Sequence, residues 1–236
     1  MIFDYMIRHF DSIGSTSDEL RRLAAEGAAS GTVIHADEQV AGRGRMARKW
    51  FSPPGNLYLS ILVRTGMSPA RTPELAFVTS VAVAETVRSL VPPRVSIRLK
   101  WPNDVLVNDA KISGVLLEQV DDAVIIGIGL NILLAPTVDG YLTTTIAAQG
   151  GIATVDGTRD ILLDRFRRFI TLWATEGFAP IRAAWLDLAH KVGSELKVSH
   201  PSGPITGRFA GLDLDGALLL DTQDGQIRIL AGDVAV

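Results

Sequence analysis

The chain has 236 residues, a formal net charge of −3 and no cysteine. That length accommodates one large domain, or one sizeable domain with a small one beside it. The charge argues against nucleic-acid binding driven by bulk electrostatics, while leaving room for a local basic site; the absence of thiols excludes disulfides, cysteine–zinc sites and cysteine nucleophiles.

The opening MIFDYMIRHF lacks a basic region followed by a continuous apolar one, so it does not read as a signal peptide. Ser15 and Thr16 precede a predicted helix with Leu20, Leu23 and Ala24 on one face. A strand follows over 33–39, then the glycine- and arginine-rich stretch GRGRMARKW from Gly42 to Trp50. Pro53-Pro54-Gly55 marks a turn before a strand over 57–63. Thr72-Pro73-Glu74 reads as a helix start, with Thr72 as the cap and Pro73 at the first position. Apolar residues from Leu75 to Leu90 recur at helical spacing until Pro92-Pro93 stops them. Strands are predicted over 96–101, 105–107, 112–120 and 124–134, with Asn108-Asp109 and Asp121-Asp122 at the turns.

Two helices come next, one with Leu162, Phe166, Phe169, Ile170 and Trp173 inward, the other with Ile181, Trp185 and Leu188. Beyond about residue 192, short strands over 195–199, 205–212, 217–221 and 226–230 alternate with Gly, Asp and Pro turns, the pattern of a small β-barrel. The expected fold is α+β: a mixed or antiparallel sheet with flanking helices over residues 1–190, and a small β-barrel over 191–236. No apolar run reaches the roughly 18 residues that a membrane span needs. The expectation is a cytoplasmic protein with no membrane partner. His9, His35, His190 and His200 are scattered, without ligand spacing, and no metal ligands are assigned.

Three segments carry chemistry. In 42–50, Arg43, Arg45, Arg48 and Lys49 crowd within seven residues, and Gly42 and Gly44 let the backbone bend close to a ligand. Arginine's planar fork suits phosphate or carboxylate. The P-loop pattern fails at Ala47. Gly42, Gly44 and Ala47 match the dinucleotide pattern GxGxx[GA], but Trp50-Phe51-Ser52-Pro53-Pro54 cannot open the helix that pattern requires. The loop therefore binds an anion in another way.

The second segment is Lys100-Trp101-Pro102-Asn103-Asp104 with Lys111-Ile112-Ser113-Gly114. The chain has only 5 lysines against 18 arginines, so two close together stand out. A hairpin brings Lys100, Lys111 and Asp104 to one end of the sheet. Cations there offset repulsion between an attacking carboxylate and a phosphate, and Asp104 is placed either to help hold Mg²⁺ or to orient an amine. The third is Gly127-Ile128-Gly129-Leu130-Asn131, where glycine inside a strand signals either a close approach or a bulge.

In this order, the motifs resemble those of the biotin–protein ligases: Ser15-Thr16-Ser17 for a Ser-Thr-Asn element, Gln39 before the 42–50 loop, KWPND at 100–104, a KxxGxLxE strand from Lys111 to Glu118, and GxGxN at 127–131. The pieces around 207–211 and 216–220 also look like that family's small SH3-like domain. Ser17 departs from the usual Asn, and Ala47 from the usual Gly. The resemblance implies a class II synthetase-like catalytic fold and a two-step reaction. Biotin and MgATP give biotinyl-5′-adenylate, and a lysine of a biotin carboxyl carrier protein then accepts the biotinyl group.

The resemblance further implies that Ser15, Thr16, Ser17, Gln39, Arg43, Gly44, Arg45, Lys111, Gly114 and Gly127 meet biotin. Gly42, Arg45, Arg48, Trp50, Asn103, Lys111 and Asn131 would meet the adenylate. Lys111, Arg43, Arg45, Lys100 and Asp104 would serve the reaction. Some relatives carry an N-terminal DNA-binding domain; with only 14 residues before Ser15, the expectation is a ligase that does not bind DNA. An exposed sheet edge is compatible with a homodimer or with docking of the carrier. Among rivals, lipoate–protein ligase has a glycine run absent here, octanoyl transferase needs a cysteine, and a non-catalytic biotin or adenylate binder has no need of Lys111 beside intact arginines.

Overall fold

A computed structural model of the chain describes residues 4–66, 68–137, 142–200 and 203–235. Seven strands form the first sheet: β1 (Met6–Ile13), β2 (Thr32–Gln39), β3 (Leu57–Val63), β4 (Ile97–Lys100), β5 (Asp104–Val107), β6 (Ala110–Val120) and β7 (Ala123–Leu130). Their order is β1-β2-β3-β7-β6-β5-β4. Only β1 and β2 run parallel; the other neighbours are antiparallel, so the sheet is mixed. Four helices flank it: α1 (Thr16–Ala25), α2 (Glu74–Leu90), α3 (Val155–Glu176) and α4 (Phe178–Leu186).

The sheet is covered unequally. Odd-numbered residues of β3, such as Leu57, Leu59 and Ile61, join the large core with α2, α3 and α4, where Trp173 and Trp185 are fully buried. On the other face, α1 sets Leu20, Leu23 and Ala24 against Ile34, Leu62 and Ile125. Alternation along each strand sends neighbouring residues to opposite faces. Ser60 and Gly127 therefore share the α1 face, and that face carries the candidate site.

A second sheet is antiparallel, with strands β8 (Glu195–Ser199), β9 (Ile205–Leu212), β10 (Leu218–Thr222), β11 (Gly225–Ile229) and β12 (Asp233–Ala235) in the order β11-β10-β9-β8-β12. Trp101 Nε1 donates to Gly216 O at 3.1 Å and Arg182 Nε to Leu212 O at 3.0 Å, which ties this unit to the β4–β5 turn and to α4. None of the helices among the described residues is long and apolar enough to cross a membrane.

The structure corrects several local expectations. β1 and β12 had no sequence signature. β7 stops at Leu130, four residues early, because buried Asn56 Oδ1 accepts from the N–H groups of Ile132, Leu133 and Leu134 and turns the chain. Thr72 does not cap α2; its hydroxyl donates to Gln119 Oε1 at 2.9 Å. The histidines are not all scattered either. The parallel register sets His9 beside His35, with ring centroids 5.1 Å apart. Burial, followed by the charge of Arg159, holds the His35 imidazole below its usual range.

Candidate active site

A pocket of about 310 Å³ opens where the N-terminus of α1, the end of β2 and the glycine positions of β6 and β7 converge under the 42–50 loop. Its floor is built of hydroxyls. Ser15 stands at the N-cap of α1, and Ser15, Thr16 and Ser17 are all buried. The first turn of a helix leaves N–H groups without intrahelical acceptors. Here the N–H and Oγ1 of Thr16 both donate to Gln39 Oε1, at 2.9 and 3.1 Å. Thr16 Oγ1 lies 2.7 Å and Ser17 Oγ 3.0 Å from Ser60 Oγ. Sequence reasoning missed Ser60, although it is the lone polar residue in LYLSILV and that signal was present.

The roof is the loop. Arg43 bridges Lys49, Gly44 N–H donates to Arg48 O at 2.7 Å, and Trp50 N–H to Gly42 O at 3.0 Å, so 42–50 closes as a small hairpin. At its tip Met46 and Ala47 have φ of 56° and 57°. Alanine in that left-handed region is roughly 1 kcal/mol less favourable than glycine. Ala47 is the residue that departs from the ligase pattern, so the methyl group sits where the backbone asks for glycine.

The loop arginines each have a separate anchor. Arg43 donates to both oxygens of Asp18 at 2.7 Å and reaches Glu118 at 3.1 and 3.2 Å. That guanidinium holds the Asp18 carboxyl below the ordinary carboxylate range, and Asp18 in turn raises Arg43. Arg45 donates to Asn103 Oδ1 at 3.3 Å and Gly232 O at 3.1 Å. Arg48 pairs with Asp233 Oδ2 at 2.7 Å. Asp18 and Glu118 were not expected as partners. Their separations from Arg43, 25 and 75 residues, leave no local pattern to read.

Trp50 accounts for the glycines. Its indole lies on β7, where a Cβ on Gly129 would meet Trp50 Cε2 and Nε1 at 2.4 Å. Gly114, paired with Gly129 in the β6–β7 register, would meet Trp50 Cζ3 at 3.2 Å. Neither glycine marks a break in that register, which runs unbroken from 113 to 120. On the floor, a Cβ on Gly127 would come 3.0 Å from Ser17 Oγ. Gly129→Ala is expected to displace the indole and destabilise the fold by about 1–3 kcal/mol, an overpacking cost. Denaturant unfolding with tryptophan emission checks this; an unchanged midpoint and spectrum would show that the indole is not wedged there.

At the remaining wall, Asp104 is buried between two lysines. Lys111 Nζ is 2.6 Å from Oδ1 and Lys100 Nζ is 3.2 Å from Oδ2. Lys100 also donates to Val234 O at 3.0 Å and does not line the pocket; it stands behind Asp104. The lining carries five cationic side chains, Arg43, Arg45, Arg48, Lys49 and Lys111; Arg43, Arg48 and Lys111 already hold Asp18 and Glu118, Asp233 and Asp104 respectively, so Arg45 and Lys49 leave a net positive charge over the pocket. That excess suits an anion. With both its oxygens engaged, Asp104 fits the orientation of Lys111 better than ligation of Mg²⁺, whose preferred sites are substrate phosphates and water.

Most expected site residues meet here, with three departures. Gly42 packs against Ser52 and the Trp50 carbonyl outside the lining. Lys100 is one layer back. Asn131 is turned away and buried: its amide donates to Thr144 O at 3.1 Å, and its N–H to Ile112 O at 2.9 Å, so it fastens the segment after β7.

The pocket lies at the glycine-marked strands of a mixed sheet. Residues 10–131, about half the chain, match the biotin/lipoate A/B protein ligase family, and the chain belongs to that family. Within it the chain falls with the biotin protein ligases: residues 192–236 match the biotin protein ligase C terminal domain. It is 35% identical to biotin--[acetyl-CoA-carboxylase] ligase of Paracoccus denitrificans, covering 93% of this chain and 96% of that protein. It is 33% identical to the bifunctional ligase/repressor BirA of Bacillus subtilis, over 98% of this chain and 73% of that one. Biotin protein ligase from Aquifex aeolicus, solved in complex with biotin and ATP, superposes with a TM-score of 0.86 at 28% identity over 98% of each chain.

Proposed function

We propose that this ligase activates biotin with MgATP and transfers it to a lysine of a biotin carboxyl carrier protein. In the first step a biotin carboxylate oxygen attacks the α-phosphorus and pyrophosphate leaves, giving biotinyl-5′-adenylate. In the second the carrier's lysine amine attacks the activated carbonyl, AMP leaves and the amine proton is released. Residues 1–190 would hold the reacting groups and 191–236 would brace them. The observation that carries this reading is the polarity of the pocket: hydroxyls and Gln39 at one end, Asp104-oriented Lys111 and the arginine loop at the other.

A bicyclic urea at the floor would exchange hydrogen bonds with Ser15, Thr16, Ser17 and Gln39, with Gly127 leaving room for its ring. Its carboxylate would then reach Lys111 and Gly114. Arg43, Gly44 and Arg45 would close over the joined phosphate, with Arg48, Trp50 and Asn103 toward the nucleotide. Each hydrogen bond to a charged group contributes about 1.5–3 kcal/mol, so several such bonds retain a reactive mixed anhydride. A closed loop also keeps water from it.

The deciding experiment is pyrophosphate release with ATP and Mg²⁺ in the presence of biotin, lipoate or neither. Release with biotin alone is expected. Release with lipoate instead would place the chain with the other branch of its family, and binding without release would make it a non-catalytic receptor. Adding a biotin carrier domain should then yield one biotinylated lysine.

A further inference from the structure

Ser60 lies beneath the floor of the pocket and takes no part in its lining. It is fully buried in β3, where an unpaired hydroxyl is costly. Its polar neighbours are Thr16 Oγ1 at 2.7 Å and Ser17 Oγ at 3.0 Å. Each of these hydroxyls has one proton to give. The group at the end of the row therefore decides which way all of the protons point.

At that end stands the Gln39 amide. The Thr16 N–H donates to Gln39 Oε1 at 2.9 Å, which sets the amide oxygen toward α1. The other side of the amide agrees. Ser52 Oγ gives its proton to Trp50 O at 3.1 Å, so at 3.2 Å it accepts from Gln39 Nε2. An amide oxygen only accepts, so the Thr16 hydroxyl donates to Gln39 Oε1 at 3.1 Å. The 2.7 Å contact is then a donation from Ser60 to Thr16, and the 3.0 Å contact a donation from Ser17 to Ser60. The protons of Ser17, Ser60 and Thr16 all run along the row toward Gln39, and none of the three is left for the pocket.

We propose that Ser60 is a positioning residue for ligand specificity: by taking the Ser17 proton it makes the Ser17 oxygen an acceptor that reads an N–H group of the ligand. Ser17 stands where the ligase pattern has Asn. An asparagine carries a dedicated acceptor oxygen, whereas a serine hydroxyl becomes one only when a neighbour takes its proton. Thr16 Oγ1 is left with lone pairs in the same way. Ser15 is the contrast: its oxygen accepts from Arg43 Nη1 at 3.4 Å, and its proton has no place in the row. Acceptors beside a donor match a cyclic urea, which sets N–H beside C=O. Gly127 keeps Ser17 Oγ open to the ligand, since a Cβ there would come within 3.0 Å of it. The inference rests on the biotin reading above and deepens it. A ring that presents oxygen in place of the N–H meets a lone pair instead of an acceptor's partner.

The test is calorimetric binding, to the full chain, of biotin and of its two cyclic-carbamate analogues, each with one ring N–H replaced by oxygen. The wild-type chain is expected to prefer biotin by roughly 10- to 100-fold over the analogue that lacks the N–H facing Ser17. Ser60→Ala removes one oxygen atom and leaves the ladders of β3 to β2 and β7 in place. With the Ser17 proton released toward the ligand, that preference should fall to about threefold or less. Ser60→Thr keeps the hydroxyl and should keep the preference. A merely structural loss would weaken biotin and both analogues alike and leave the ratio where it was. An unchanged ratio in Ser60→Ala, or no preference in the wild-type chain, overturns the proposal while biotin binding itself stands. A chain that binds no biotin overturns the ligase reading, and this proposal with it.

Discussion

Lys111→Ala is expected to lower the rate of adenylate formation by about 10²–10³-fold, the range seen when one preorganised electrostatic donor is removed. Its ammonium is held by Asp104 at 2.6 Å on the pocket wall, and Lys100 fixes Asp104 from behind. The lysine is therefore already in place before charge develops on the phosphate, with no reorganisation left to do. The backbone of β6 is anchored by its ladders to β5 and β7, so the substitution leaves the strand paired. Single-turnover pyrophosphate release from the folded variant is the readout. Lys111→Arg should recover part of the rate, because it keeps the charge and loses the point-like shape. Wild-type kinetics in Lys111→Ala would remove this residue from the reaction.

Arg45→Gly is expected to speed escape of the adenylate by roughly 10- to 150-fold, which is what a charged hydrogen bond of about 1.5–3 kcal/mol amounts to. Arg45 joins the loop both to Asn103 and, beside the Arg48–Asp233 pair, to Gly232 O. Glycine removes both links and adds backbone freedom beside Met46 and Ala47. The Arg43 and Arg48 anchors remain, so the loop still forms while its closure loosens. Adenylate made in situ and followed through a desalting column gives the retention time, and undiminished retention would contradict the assignment. Untargeted labelling of bystander amines should rise in step with the loss.

What could be read in the sequence was whatever is local. The 42–50 loop, the KWPND turn and the glycines of β6 and β7 lie at the ends of elements or in short runs, so the hairpin reading alone placed Lys100, Lys111 and Asp104 together, with Lys100 one layer behind the pocket wall. The order of those motifs also fixed the family. What could not be read depends on the sheet's register and on distant pairs. β1 is an exposed edge strand with a mixed polar pattern, so no alternation announced it. Because it was missed, the alignment of His9 with His35 was hidden as well. Asp18, Glu118 and Asp233 reach their arginines only after folding. Asn131 looked like a ligand contact because it follows a glycine-marked strand, but its Nδ2 donates to Thr144 O and it stands outside the pocket lining.

Three successive residues, Gly232, Asp233 and Val234, receive Arg45, Arg48 and Lys100 respectively. For anyone recombining such ligases, this makes the small C-terminal unit a poor interchangeable part. A chimera crossing over near residue 190 would inherit two intact folds and a mismatched seam, unless the donor also brings an acid at 233 and the same strand offset. The inherited unit is then the seam itself, and a library that shuffles 42–50 together with 231–235 should retain more active members than one that shuffles whole domains.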